Sequence, residues 1–180
     1  MTVVALTITE ALAELKTIAR RLEKKQQFVE VNLFRQERFK DPLSDQGGSS
    51  MVIRSERQSI HDLRERMVTL RREIAYANAG TLVTVNGVTR SIADWLVWRR
   101  EVAPKIQEGL ARMQASIQRM RNEARQKGVG VSLVETGRLD DVVVNLDEKE
   151  LAEEAEELET TLGTLDGLLS LKNAVTTINV

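Results

Sequence analysis

The stretch Thr81-Leu-Val-Thr-Val-Asn-Gly-Val-Thr-Arg90 decides the fold. Asn86-Gly87 sits between β-branched residues, and both positions of a two-residue hairpin turn need the positive φ that Asn and Gly tolerate best. A short hairpin near 82–89 is therefore predicted. The sequence on either side has a helical period, so the chain reads as helices joined by a small β element.

Upstream, a helix is predicted from about Ser55 to Asn78, with Ile60, Leu63, Met67, Leu70, Ile74 and Ala77 as its apolar seam and Arg and Glu on its outside. Gly80 is expected to end it in a left-handed cap. Before it, Thr7 and Glu10 have the spacing of a capping box. They open a first helix with the stripe Ile8, Leu12, Leu15, Ala19, Leu22 and Val29, interrupted by Gln26. That helix is expected to run to about Arg38, because Asp41-Pro42 and Gly47-Gly48-Ser49-Ser50 do not continue it. Residues 41–52 are expected to form a flexible or partner-ordered loop.

Downstream, Ser91 and Asp94 form a second candidate capping box ahead of a helix from about Ile92 to Lys127. Its stripe is Ile92, Leu96, Ala103, Ile106, Leu110, Met113, Ile117, Met120 and Ala124. Pro104 should kink or locally open it, and at 1.5 Å per residue it would be roughly 50 Å long. Gly128 and Gly130 stop it. Short strands are expected near 131–146, around Thr136-Gly137. Asp147 and Glu150, a third candidate box, precede a fourth helix with Leu151, Ala155, Leu158, Leu162, Leu165 and Leu169 as its seam. The tail Val175–Val180 reads as extended β.

Seams of this kind on all four helices predict a mainly α fold: an elongated four-helix bundle with long helical hairpins and a small β element, in one domain over 1–180. An isolated hairpin is marginal, so the C-terminal tail or another subunit is expected to extend the one near 82–89.

Composition adds mainly exclusions. The 180 residues are 42% hydrophobic and 3% aromatic, with no Cys, one His and a net charge of −1. A disulfide framework, a thiolate zinc site, a thiol nucleophile and a multi-histidine metal centre are ruled out. No apolar run approaches the roughly 20 residues of a membrane helix, and no basic region followed by an apolar core marks a signal peptide. The expected setting is a soluble protein in a reducing compartment, with no cofactor, metal, membrane or small-molecule substrate. Near-neutrality disfavours a dedicated nucleic-acid binder, leaving at most weak phosphate contact through the basic third helix.

The charge of −1 conceals opposed segments. Asp147–Glu159 carries eight acids and one Lys, whereas Arg99–Lys127 carries eight basic residues and three acids. Either these helices attract one another, or each faces a separate partner. His61 reads as a flank histidine beside Asp62, and Asp140-Asp141 as strand-end or capping carboxylates. No nucleophile or acid–base constellation is visible, so no catalytic residue is assigned. Contact residues are sought among the few aromatics and the β segments. The candidates are Phe28, Phe34 and Phe39 near the first loop; Tyr76, Trp95 and Trp98 around the hairpin; Val83, Val85, Asn86 and Gly87 within it; and Ile178 in the tail.

Two resemblances add to this. The end of the second helix with Asn78, the turn Val85-Asn-Gly-Val-Thr-Arg-Ser91 with the helix after it, Val143-Val-Asn-Leu-Asp147, the helix through Leu158 to Leu165-Asp166, and Asn173 with Thr176-Thr177 resemble the septicolysin-like family of small helical bacterial proteins. The likeness covers roughly the last two thirds and brings no catalytic residues; the Phe28–Arg38 extension and the Asp41–Ser50 loop depart from it. Ile92-Ala-Asp-Trp-Leu-Val-Trp-Arg-Arg-Glu-Val-Ala-Pro104 and Leu162-Gly-Thr-Leu-Asp-Gly-Leu-Leu-Ser-Leu-Lys-Asn173 are similar to small proteins of tailed-phage structural gene clusters. The second resemblance implies a virion component, assembled in the host cytoplasm as a homo-oligomer together with other virion structural proteins. The first implies a cytoplasmic protein-binding module.

Overall fold

The computed structural model describes residues 5–180. The chain is mainly helical with three small two-stranded sheets. Among the described residues, internal contacts fall into two compact units, one reaching to Gly80 and including 170–180, and one of residues 81–169.

The first unit opens with β1 (Ala5–Thr7), which runs into α1 (Ile8–Val31). The predicted capping box is present. The Glu10 N–H donates to Thr7 Oγ1 at 3.2 Å, and the Thr7 N–H donates to Glu10 Oε2 at 2.8 Å. These bonds to Thr7, its backbone amide first, hold the Glu10 carboxyl below its ordinary range. Helix α1 stops at Val31, not near Arg38. Asn32 ends it, because its backbone N–H and its side-chain amide both donate to the Phe28 carbonyl.

The buried line along α1 is Ile8, Ala11, Leu15 and Ile18, with Leu22 packed beside it; Leu12 and Ala19, expected in the stripe, are exposed. Ala11, fully buried, has no side chain beyond Cβ to hold the backbones apart. Helix α2 (Ser49–Gly80) meets this line with Leu70 and Ile74, flanked by Leu63, Met67 and Ala77. Two ion pairs fix the antiparallel register. Arg66 grips Glu14 with two bonds of 2.8 and 3.2 Å, and Lys25 meets Glu56 at 2.6 Å. The C-terminal strand β6 (Thr177–Asn179) pairs antiparallel with β1 and lays Ile178 into the same core. The Thr176 carbonyl takes the Ile8 N–H at 3.0 Å, which satisfies a free donor at the start of α1.

Helix α2 begins six residues before the expected Ser55 and reaches Gly80, whose φ is not left-handed. Gly48 precedes it with φ 92° and has no side chain to cap it. Asp41 supplies the carboxylate instead: it accepts from the Ser49 N–H at 2.9 Å, from the Ser49 hydroxyl, and from the Leu43 N–H at 2.9 Å. Those bonds, the Ser49 hydroxyl first, hold the Asp41 carboxyl at about 2 against an ordinary 3.8. A depressed folded-state pKa stabilises the fold above the unfolded value and loses that contribution as pH falls through the folded one. The advantage of wild type over Asp41→Asn is therefore expected to hold at neutral pH and to shrink between pH 3.8 and about 2. Thermal melts followed by circular dichroism over that range would check this.

In the second unit, β2 (Leu82–Val85) and β3 (Val88–Ser91) form the predicted hairpin, with Asn86 at φ 48° and Gly87 at φ 79°. Ser91 caps α3 (Ile92–Val97): the Asp94 N–H donates to its hydroxyl, which in turn donates to the Asp94 carboxylate. The predicted third helix is locally opened. One π turn, Trp98–Val102, joins α3 to α4 (Ala103–Lys127) just before Pro104, which has no N–H to close an ordinary turn. The inward residues are Ile92, Trp95, Ala103, Leu110, Ile117 and Ala124, while Leu96 and Met113 are exposed.

The short strands expected near 131–146 are β4 (Val131–Ser132) and β5 (Val142–Val143), and they pair parallel. Asp141 holds the loop between them. It accepts from Thr136 Oγ1 at 2.7 Å and from the Gly130 N–H at 3.1 Å, and the Thr136 bond foremost depresses its pKa. A Cβ on Gly130 would lie 2.7 Å from the Asp141 carboxylate, so any larger residue would push that carboxylate from its place in the loop. Asp147 precedes α5 (Glu148–Val175) and accepts from the Lys149 N–H. Leu151 packs with Leu110, Ile117 and Val144, and Leu165 and Leu169 pack beneath the hairpin. The three sheets remain two-stranded: the tail extends β1, not the hairpin near 82–89.

Candidate functional site

The sequence-derived contact residues divide by burial. Val83, Val85, Trp95 and Ile178 are interior, at 5% exposure or less. Trp95 is the plug beneath the hairpin. Its indole N–H donates to the Val83 carbonyl at 2.9 Å, its ring meets Trp98 edge-to-face at 5.5 Å, and the Arg90 guanidinium stands 5.0 Å from it. Trp98 and Phe28 are half-buried. Asn86 and Gly87 are exposed at the turn, where the Asn86 amide donates to the Thr161 hydroxyl at 2.8 Å. Tyr76, Phe34 and Phe39 are exposed, Phe34 at 83%. Asn78, singled out by resemblance, has a buried side-chain oxygen without a hydrogen-bond partner among the described residues.

Phe34 and Phe39 belong to a larger feature. Val31, Leu33, Phe34 and Phe39 all stand in solvent where the chain leaves α1. Beside them, α1 and the first half of α2 bound an open groove of about 1030 Å³. Its lining includes Arg35, Arg54, Arg57, His61 and Arg64, against a single acid, Glu30. Arg54, Arg57, His61 and Arg64 follow a spacing of three, four and three, which keeps them on one helix face. Arg35 approaches Asp41 at 3.7 Å, and the other three arginines pair with no acid among the described residues. Sequence reasoning treated this line as part of a solvated Arg and Glu exterior; its periodicity was the available signal.

The acidic segment of α5 is only partly neutralised. Glu148 meets Arg121 at 2.7 Å and accepts from the Gln118 amide, Lys149 meets Glu153 at 3.2 Å, and Asp166 meets Arg99 at 3.1 Å. The pairs from Glu148 and Asp166 join α5 to α4 and to the π turn, so mutual attraction of these helices accounts for part of the pattern. Glu150, Glu154 and Glu157 are exposed and have no cationic partner among the described residues.

Among the described residues no group of three or more His, Cys, Asp or Glu is placed to hold a metal ion, and no helix is long and apolar enough to cross a membrane. Asp141 is engaged in the loop described above, and His61 lies exposed along the groove. No family model matches the chain, and no similar protein was found among curated proteins or among solved structures.

Proposed function

We propose that the chain is a non-enzymatic assembly protein, an accessory or connector component of a phage particle, acting through self-association and docking to other structural proteins. One observation carries this reading: the cluster of large apolar side chains Val31, Leu33, Phe34 and Phe39 left in solvent within nine residues, with Arg38 stacked 4.7 Å from the Phe39 ring. Four large apolar side chains exposed so close together in the chain, beside charged residues, are the kind of surface that docks a partner. The particle assignment rests on the resemblance that the sequence of 92–104 and 162–173 suggests to phage structural-cluster proteins.

Light scattering coupled to size-exclusion chromatography tests self-association; a clean monomer at high micromolar concentration would count heavily against it. Phe34→Ser with Phe39→Ser is expected to weaken self-association while leaving the melting temperature within about 2 °C of wild type, since exposed side chains contribute little to folding. A large fall in melting temperature would make these residues part of the fold instead.

A further inference from the structure

We propose that the arginine line of α2 is the docking site for the acidic flank of α5 from a second copy of the chain. This deepens the self-association reading and rests on it. Arg54, Arg57, His61 and Arg64 offer a row of donors at intervals of three, four and three residues along a groove. At 1.5 Å per residue the row is about 15 Å long. Glu150, Glu154 and Glu157 lie at intervals of four and three, and as exposed carboxylates they form a row of the same period. A four-then-three step occurs in both rows, as Arg57, His61 and Arg64 and as Glu150, Glu154 and Glu157, so two guanidinium–carboxylate pairs can form together with the His61 imidazole facing the third carboxylate.

Neither row has oppositely charged partners among the described residues. Each is an unneutralised field on a chain whose net charge is only −1. Single exposed ion pairs are weak, so one pair would achieve nothing; a row in a concave groove, partly shielded from water, acts as a network. The groove also presents Val29, Leu33, Ile53 and Ile60, whose apolar surface lowers the local dielectric around the arginines. An acidic protein helix fits this better than nucleic acid does, because no Phe, Tyr or Trp lines the groove to stack a base.

The test uses the full chain with R54E/R57E/R64E and, separately, E150R/E154R/E157R. Each variant alone is expected to weaken self-association by at least about tenfold in sedimentation or light scattering, since it sets like charges against each other. Mixing the two variants in equal amounts is expected to restore assembly, because every reversed row then faces its complement. For the wild type, raising salt from about 50 to 300 mM should weaken association by a similar factor. This arm stays informative if a reversed variant fails to fold.

Undiminished association of both folded variants, or association insensitive to salt, would overturn the proposal while leaving self-association itself standing. A monomeric wild type would remove the self-association reading and this inference together. Binding of a fluorescent DNA duplex that R54E/R57E/R64E abolishes, with association unchanged, would assign the groove to phosphates and overturn the proposal.

Discussion

Replacing Trp95 with alanine is expected to destabilise the 81–169 unit by about 3–5 kcal/mol, the range for removing a buried Trp. The side chain is 3% exposed and packs with Val83, Val85, Ile92, Leu165 and Leu169, so truncation opens a void bounded by both hairpin strands, α3 and α5. It also removes the indole donor to the Val83 carbonyl and the face on which Arg90 rests. Trp95→Phe separates these contributions: it keeps most of the ring volume and loses the hydrogen bond, so about 1–2 kcal/mol is expected. The chain has two tryptophans, and Trp98 remains in both variants as a fluorescence reporter. Urea unfolding that placed Trp95→Ala within about 1 kcal/mol of wild type would contradict the assignment of Trp95 as the core plug.

What could be read from the sequence was local. The Thr7–Glu10 capping box needs only two side chains and the backbone between them, and the hairpin needs only Asn86-Gly87 between β-branched residues. The seam of α2 was legible for the same reason: Ile60, Leu70 and Ile74 are both the largest and the most buried apolar residues of their turns. On α1 the stripe holds at Ile8, Leu15 and Leu22, while at Leu12 and Ala19 the buried position is the residue before, Ala11 and Ile18. Hydrophobicity favours Leu12 over Ala11, whereas the interior takes Ala11 and leaves Leu12 at 40% exposure. Choosing between them depends on the neighbouring helix, which the local pattern does not contain.

Non-local pairing was the harder part. β1 and β6 lie at opposite ends of the chain, and nothing in Ala5-Leu-Thr7 names Thr177-Ile-Asn179 as its partner. The parallel pairing of β4 with β5 depends on Asp141 reaching back to Gly130, a contact across eleven residues. The end of α1 was misplaced because Asn32 terminates it from within, without a glycine or proline as a marker. At the candidate site, the charge runs on α4 and α5 were visible as composition. The three-four-three spacing of the arginine line is in the sequence, but only the groove shows that this face of α2 is left open beside α1.

The strand pair that closes the first unit gives the second large effect. Ile178→Asp is expected to destabilise this unit by about 3 kcal/mol or more, a large fraction of the about 5–15 kcal/mol that holds an ordinary domain folded. Ile178 is 5% exposed, pairs with Leu6 across the β1–β6 ladder, and packs with Ile8, Leu70 and Ile74. A carboxylate there loses the transfer energy of the isoleucine and must be either desolvated without a partner or protonated. The other way out is for β6 to detach, and that also releases the Thr176 carbonyl from the Ile8 N–H. Asn179→Asp is the control: one residue further on, its side chain is exposed, so the same charge on the same strand should cost little. The two variants should therefore part sharply in chemical denaturation, and amide exchange at Leu6, Ile8 and Ile178 should accelerate in variants that release the tail. Equal, small effects from both substitutions would mean that the tail contributes nothing to the core and that β6 is not part of the folded unit.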